Sequence, residues 1–273
     1  MKTIRISGVI TAKSPIHHGG NEKTGSTVGF RRMDMLTTEG VQEVPYIEGN
    51  AVRGKMRRLL LKDFLDRIDY TPPTPRMHHF LYSGGNLEKV ASKNIGTLNL
   101  DMRRQLRSLV IPISILGSSI LNQAFAGKLR IGKMYPICKE LLGIQHNINT
   151  KISFHELMST TFHTRKDDLH AERDEGTNPQ QMLVEIEIMI LGTRYTHEII
   201  LDDPTPLEES CMSHLLKLWT DNGSIGGKSA IGFGEIESKY NIPKLESPEL
   251  YLKYLEENRE KICSYLDKLS SIK

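Results

Sequence analysis

Within PYIEGNAVRGKMRR, residues 45–58, a loop turns into a helix. Asn50 suits an N-cap, and Val52, Met56, Leu59, Leu60, Phe64, Leu65 and Ile68 follow at helical spacing, which predicts a helix over roughly residues 50–69. Two features are unusual for a start whose only task is packing. Arg53 stands where a capping box has Glu or Gln, and a cation in the first turn opposes the helix dipole. Gly54 then sits inside the helix, at a cost of about 1 kcal/mol relative to Ala. Both make sense if an anion rests on the helix N-terminus. Free N–H groups and the dipole attract a phosphate, Arg53 and Lys55 add charge, and Gly54 admits a ligand backbone. The competing reading is an ordinary amphipathic helix with a solvated basic face.

The helix needs something to pack on, and 273 residues suffice for one large domain with insertions. A net charge of +3 does not by itself announce a nucleic-acid binder. The cations are clustered, however: Arg53, Lys55, Arg57, Arg58 and Lys62, then Arg103, Arg104 and Arg107, then Lys128, Arg130 and Lys133. Glu246, Glu249, Glu256, Glu257 and Glu260 concentrate near the C-terminus. That polarity suits a basic groove on one side, although charge runs are commonly solvated faces. Cys138, Cys211 and Cys263 are far apart and form no CxxC, so a reducing cytoplasm is expected. The apolar run around residues 109–121 is too short to span a membrane and contains Pro112 and Gly117. No membrane partner is expected.

Residues 3–12 alternate as a first strand. Residues from about 13 to 46 carry many glycines without clear periodicity and are expected to form a long, functional or mobile loop. TPPTP ends the first helix, and residues 70–108 read as a small helical insertion. IPISILGSSI has helical spacing, and GKLRIGKMY reads as a strand. Residues 152–182 are polar in the middle and predict an extended hairpin or protruding loop. LVEIEIMIL and RYTHEIIL, separated by a glycine turn, predict a β-hairpin over 183–201. A helix over 205–220 with Thr205 as cap, a glycine-rich loop leading into a strand, and an amphipathic helix over 248–269 complete the chain. This order is α+β, a modified ferredoxin-like or RNA-recognition-like core with large, hand-like excursions.

GGKSAIGFG (226–234) superficially resembles a phosphate-binding loop. Asn222 stands where the motif needs its first glycine, and a helix precedes while a strand follows, so nucleotide hydrolysis is excluded. Gly226, Gly227, Lys228 and Ser229 can still cradle phosphates through backbone N–H groups, or the loop is a turn packed under helices. His17–His18 and His78–His79 are adjacent pairs whose side chains diverge in extended chain, so neither pair chelates a metal alone. Asp34, in the N-terminal loop, is a weak candidate for metal-assisted chemistry. Arg165, Lys166 and Leu169 combine cations with an apolar wedge suited to clamping a nucleic-acid strand, although neighbouring acids fit a solvated loop.

Taken in order, these pieces resemble the RAMP superfamily, and within it the backbone subunit of class 1 CRISPR effector complexes. The landmarks are SPIHHGG after the first strand, PYIEGNAVRGKMRRLL as the loop–helix, SILGSS with GKLRIGKMY, NPQQM before the predicted hairpin, and GGKSAIGFGEIE. The resemblance covers residues 3 to about 238. It implies one RNA-recognition-like domain with excursions at about 13–46, 70–108 and 152–182. It also implies copies stacked head to tail along a CRISPR RNA, other effector subunits as partners, and pairing of the guide with target DNA or RNA. By position, His17, Arg31, Arg32, Asn50, Arg53, Lys55, Arg57, Arg58, Gly226, Gly227, Lys228 and Ser229 would hold the guide. Residues 160–182, with Arg165, Lys166 and Leu169, would be the thumb that displaces a base. Type III members carry a slicing Asp in the N-terminal loop, and Arg31 stands at its expected place. A non-cutting subunit of type IV or I-D character is therefore expected, without a cofactor. The alternative is a type III-like slicer using Asp34 and a metal, or guide processing through His17 or His18. A third possibility is a protein-binding α+β domain.

Overall fold

The computed structural model describes residues 2–24, 27–85, 98–120, 123–143, 149–165 and 182–272. β1 (Thr3–Ala12) buries Ile4, Ile6, Ile10 and Ala12 and turns Thr3, Arg5 and Ser7 outward, the alternation its sequence predicts. The next segment differs from expectation. Instead of a long loop it forms β2 (Gly19–Thr24) paired with β3 (Thr27–Phe30), then β4 (Arg32–Thr37) paired with β5 (Gly40–Pro45). β2 is an edge strand of a four-stranded sheet and β4–β5 a two-stranded ribbon, and neither need bury a full face, so the usual apolar alternation is weak there.

α1 (Gly49–Ile68) buries Val52, Met56, Leu60, Leu61, Phe64 and Ile68. Its N-cap is Glu48 (φ −66°, ψ 133°), so Asn50 is not the cap and lies exposed in the first turn. Gly49 explains the shift. A Cβ there would stand 2.6 Å from the carbonyl oxygen of Ile131, so only glycine lets the helix start this close to the sheet.

The helical insertion follows as α2 (Pro75–His78), a π-turn (His79–Ser83), α3 (Leu100–Leu109) and α4 (Ile111–Leu116). β6 (Ser118–Ile120) pairs with β7 (Gln123–Phe125). The strand expected over 127–135 is broken into β8 (Leu129–Ile131) and β9 (Tyr135–Pro136). Between them Met134 exchanges both backbone hydrogen bonds with Ile47, at 3.0 Å each, which draws the chain toward the start of α1.

β10 (Met158–Arg165) pairs antiparallel with β11 (Met182–Met189), the base of the expected protruding hairpin. β12 (Arg194–Asp202) joins the other sheet, so the expected 183–201 hairpin does not form. Alternation marks the buried face of each strand and leaves the choice of partner open. β11 lies between β10 and β3, whereas β12 lies between β1 and β8.

α5 (Pro206–Asn222) starts with a capping box between Thr205 and Glu208. β13 (Ile236–Asn241) and α6 (Pro248–Ser270) follow. The main sheet runs β13–β1–β12–β8, all antiparallel, with β9 also on β12. With α1 after β1 and α5 after β12, this is the βαββαβ order of a ferredoxin-like core. Ile6, Ile10, Tyr195 and Ile199 from the sheet share one core with Phe64, Leu215 and Trp219 from α1 and α5. α6 packs on both helices. A triad ties α1 to α5: Asp63 bonds the buried His214 of α5 and the exposed Arg67 of α1, each at 2.7 Å.

Candidate nucleic-acid interface

The start of α1 already has a carboxylate beside it. Glu48 accepts from Lys133 (2.7 Å) and from the Tyr46 hydroxyl (3.0 Å), and an Arg31 nitrogen lies 3.9 Å away. Burial alone would raise the Glu48 carboxyl, but the bonds from Lys133 and Tyr46 outweigh it and hold it below the usual carboxylate range. The backbone N–H of Glu48 donates to His18 Nε2 at 3.2 Å. Burial and the nearby Arg31 charge push His18 down to about 4, so at neutral pH its ring is uncharged and free to accept that bond. The anion that the sequence places on this N-terminus therefore has competition from the chain itself.

The arginines one and two turns further on divide by role. Arg53 donates to the carbonyls of Leu129 (2.6 Å) and Leu116. Arg57 is 5% exposed and donates to Leu116 (3.0 Å), Gly117 (2.7 Å) and Leu81 (3.4 Å). Carbonyls at the end of α4 lack helical partners, and both guanidiniums satisfy them. Burial and the adjacent Arg53 charge lower Arg57 to about 10. The sequence reading of Arg57 as a guide-holding cation is thus corrected: its donors face inward and join α1 to α4. Arg58 is exposed, and among the described residues no carboxylate pairs with it. Lys55 is half-buried, and burial followed by the Arg58 charge lowers it. Among the described residues, and apart from the helix's own backbone and the residues flanking Gly54, a Cβ placed there would meet just Arg58 Nη1, at 3.4 Å.

Asn50, Arg53, Gly54, Arg57 and Arg58 line one side of a cleft of about 930 Å³. His78, Tyr82, Ser83 and Gly84 line another side, and residues 116–119 and 124–127 the rest. Among the described residues, three arginines and no Asp or Glu line it. The other basic clusters differ. Lys128 pairs with Glu208 (2.6 Å), Arg130 with Asp202 (2.6 Å) and Lys133 with Glu48, while Arg103 lies over the Phe125 ring. Their charge is largely answered within the fold, by partners distant in sequence.

The glycine-rich loop lies against the segment after β1. Gly227 N–H donates to the His17 carbonyl at 2.9 Å, and Gly234 N–H to the Pro15 carbonyl at 2.9 Å. Gly226 has φ +84°, and a Cβ there would stand 2.3 Å from the His17 oxygen, so two demands require glycine. Lys228 and Ser229 are exposed, and Lys228 holds the left-handed conformation at φ +63°. His17 is buried, with Nδ1 2.8 Å from the Glu187 carbonyl of β11. Arg32 pairs with the Glu187 carboxylate at 2.7 Å, and Phe30 N–H bonds the same carboxylate at 2.6 Å. The His163 ring of β10 meets Phe233 edge-on at 5.4 Å. The histidine segment thus links the glycine-rich loop, through His18 and Glu48, to the start of α1. Arg165 ends β10, and Lys166 and Leu169 lie outside the described residues.

Asp34 is not in a loop. It sits exposed in β4, directly opposite Glu43 of β5. Among the described residues no three His, Cys, Asp or Glu side chains gather as metal ligands. No helix among them is long and apolar enough to cross a membrane. Tyr82, Glu48 and Glu187 went unnoticed as site residues in the sequence, and His78 was weighed there as a metal ligand alone. Only the HH dipeptide and its i+4 tyrosine offered a signal, and it reads equally as surface.

The model of the RAMP superfamily matches residues 9–237, from within β1 to the start of β13. The chain belongs to the RAMP superfamily. A chain of a solved structure titled "Type IV-B CRISPR Complex" is similar in fold, with a TM-score of 0.66 at 20% identity over 91% of this RAMP chain and 96% of that one. No curated protein matches the sequence. The glycine-rich loop before β13 falls within the matched family region, as does the core apart from the start of β1 and most of β13.

Proposed function

We propose that this protein is the backbone subunit of a CRISPR effector complex, binding CRISPR RNA along the surface from the α1 cleft to the glycine-rich loop. The observation that carries the reading is the cleft with Arg58 exposed on its wall and no Asp or Glu among the described residues that line it. Phosphate contacts from Arg58, Lys55 and Lys228, with the Asn50 side chain and the exposed Ser229, position a strand without reading its sequence. Family membership and the CRISPR-complex fold neighbour support the choice of ligand. One subunit offers a short groove, so copies assemble head to tail along the guide, an open array whose length the RNA sets. The array presents the guide to target DNA or RNA and meets the other effector subunits at its ends.

The test is the nucleic acid recovered from purified protein, followed by binding of single-stranded RNA. A short RNA of uniform length, and binding whose salt slope falls by about 1 in Arg58→Ala, are expected. Failure of the wild type to retain single-stranded RNA at 50 mM and at 150 mM salt refutes the reading. In this role the subunit does not cut. A second reading has one observation in its favour: the facing carboxylates of Asp34 and Glu43 could share a divalent ion in a type III-like slicer. Target RNA incubated with the loaded assembly and Mg²⁺ or Mn²⁺ separates the two. Regularly spaced cuts that vanish in Asp34→Ala establish the slicer.

A further inference from the structure

From the α1 cleft we infer a nucleotide-stacking subsite: His78 and Tyr82 form an aromatic platform for a base whose phosphate lies on Arg58. This rests on the RNA-binding reading and adds a recognised part, the base, that phosphate contacts alone do not engage.

The rings of His78 and Tyr82 lie 4.8 Å apart at an interplanar angle of 32°, one turn apart where α2 passes into the π-turn. The π-turn adds a residue per turn and re-aims the side chains that follow it, and such turns recur at functional sites. Here Phe80 and Leu81 of the same turn are buried in the core, which holds the backbone still while His78 stays exposed and Tyr82 half-exposed. Both rings line the same cleft as Arg53 and Arg58, facing walls built by Ser83, Ser118 and Ser119 with glycines 84, 117 and 127. A space of about 930 Å³ admits one nucleotide with room for its flanking phosphates.

The chemistry of the lining points the same way. Aromatic faces accept any base and the Arg58 charge takes the phosphate, while Ser118 and Ser119 donate their hydroxyls to the Phe80 and Gly84 carbonyls and brace the wall behind. An anion with no flat apolar part would leave the ring pair unused. An apolar ligand would leave the exposed Arg58 without a counter-charge. The site therefore tolerates any base and contributes affinity at one nucleotide of single-stranded RNA.

The experiment compares two oligomers of equal length, single-stranded RNA and the same backbone carrying no bases, on wild type, His78→Ala, the His78→Ala/Tyr82→Ala pair and Tyr82→Phe. The double variant is expected to bind RNA about tenfold to a hundredfold more weakly, with the salt slope unchanged. Its affinity for the baseless oligomer is expected to match wild type, and Tyr82→Phe to match wild type on both. His78→Ala touches an exposed ring, so it carries the test should the double variant fail to fold; it is expected to lose about threefold or more on RNA alone. Wild-type RNA binding that neither alanine variant weakens overturns the stacking and leaves the RNA reading intact. Equal losses on both oligomers also overturn it, since the rings would then act through the fold. Wild type that binds no RNA overturns the RNA reading and the subsite with it.

Discussion

Replacing Arg57 by alanine separates a structural arginine from a binding one. The guanidinium donates to Gly117 at 2.7 Å, Leu116 at 3.0 Å and Leu81 at 3.4 Å from a position 5% exposed. Removing it strands the Gly117 carbonyl, at about 1–3 kcal/mol. Leu116 keeps its bond from Arg53. Loss of the packed stem adds about 2 kcal/mol at roughly 0.8 per methylene. Against this, the desolvation that lowers Arg57 to about 10 is relieved when the charge leaves. A net loss of about 3 kcal/mol remains, which for a chain of this size lowers Tm by about 6–12 °C. Arg57→Met keeps the stem and isolates the hydrogen bonds, so it should lose about 1–3 kcal/mol. Arg58→Ala should stay within about 0.5 kcal/mol of wild type while weakening RNA binding. Thermal and urea unfolding alongside RNA titration provide the assay. Arg57→Ala with an unchanged Tm and abolished RNA binding would refute the division of roles, because the donors would then have to reach the ligand.

Stability should depend on pH through two histidines. Burial pushes both His18 and His197 down to about 4, below the ordinary value near 6.5, so the unfolded chain takes up their protons first. Above pH 6.5 both rings are neutral in the folded and the unfolded chain alike, and they cost the fold nothing. Between pH 6.5 and about 4 each lost unit of pH destabilises the fold, up to about 3 kcal/mol per histidine. Urea midpoints from pH 7.5 to 5 should fall steeply, and His18→Gln should flatten the slope; an unaltered slope would show that His18 already charges in the folded state. Lys228→Gly should raise stability by about 0.5–1 kcal/mol, because φ +63° is strained for lysine, while weakening RNA binding through the lost charge. Lower stability in that variant would mean that the lysine stem packs against the loop.

β1, α1, α5 and α6 were legible in the sequence because their signals are local. Ile4, Ile6 and Ile10 alternate at period two, Val52 to Ile68 recur at helical spacing, and Thr205, Pro206 and Glu208 spell a helix start within four residues. The order of these elements also sufficed for a ferredoxin-like class. Landmarks from the first strand to GGKSAIGFGEIE pointed to the family whose model spans residues 9–237. The partner of each strand was not legible. Ile186 and Ile199 alternate equally well, yet they lie in different sheets, because period-two burial names a face and says nothing of a neighbour.

The charge of the site was hidden for a related reason. Arg53, Arg57, Arg58, Arg130 and Lys133 look alike as basic letters. Carbonyls of Leu116 and Gly117 occupy Arg57, Asp202 occupies Arg130 and Glu48 occupies Lys133, all from segments remote along the chain. His78 and Tyr82 acquire meaning only beside Arg58 in one cleft. The sequence by itself determined β1, the long helices of the core and which residues carry charge, since propensity and periodicity act over a few residues. Only the tertiary structure decided which charges are answered inside the protein and which remain for a ligand, because Coulomb and hydrogen-bond energies depend on distances that close only when the chain folds.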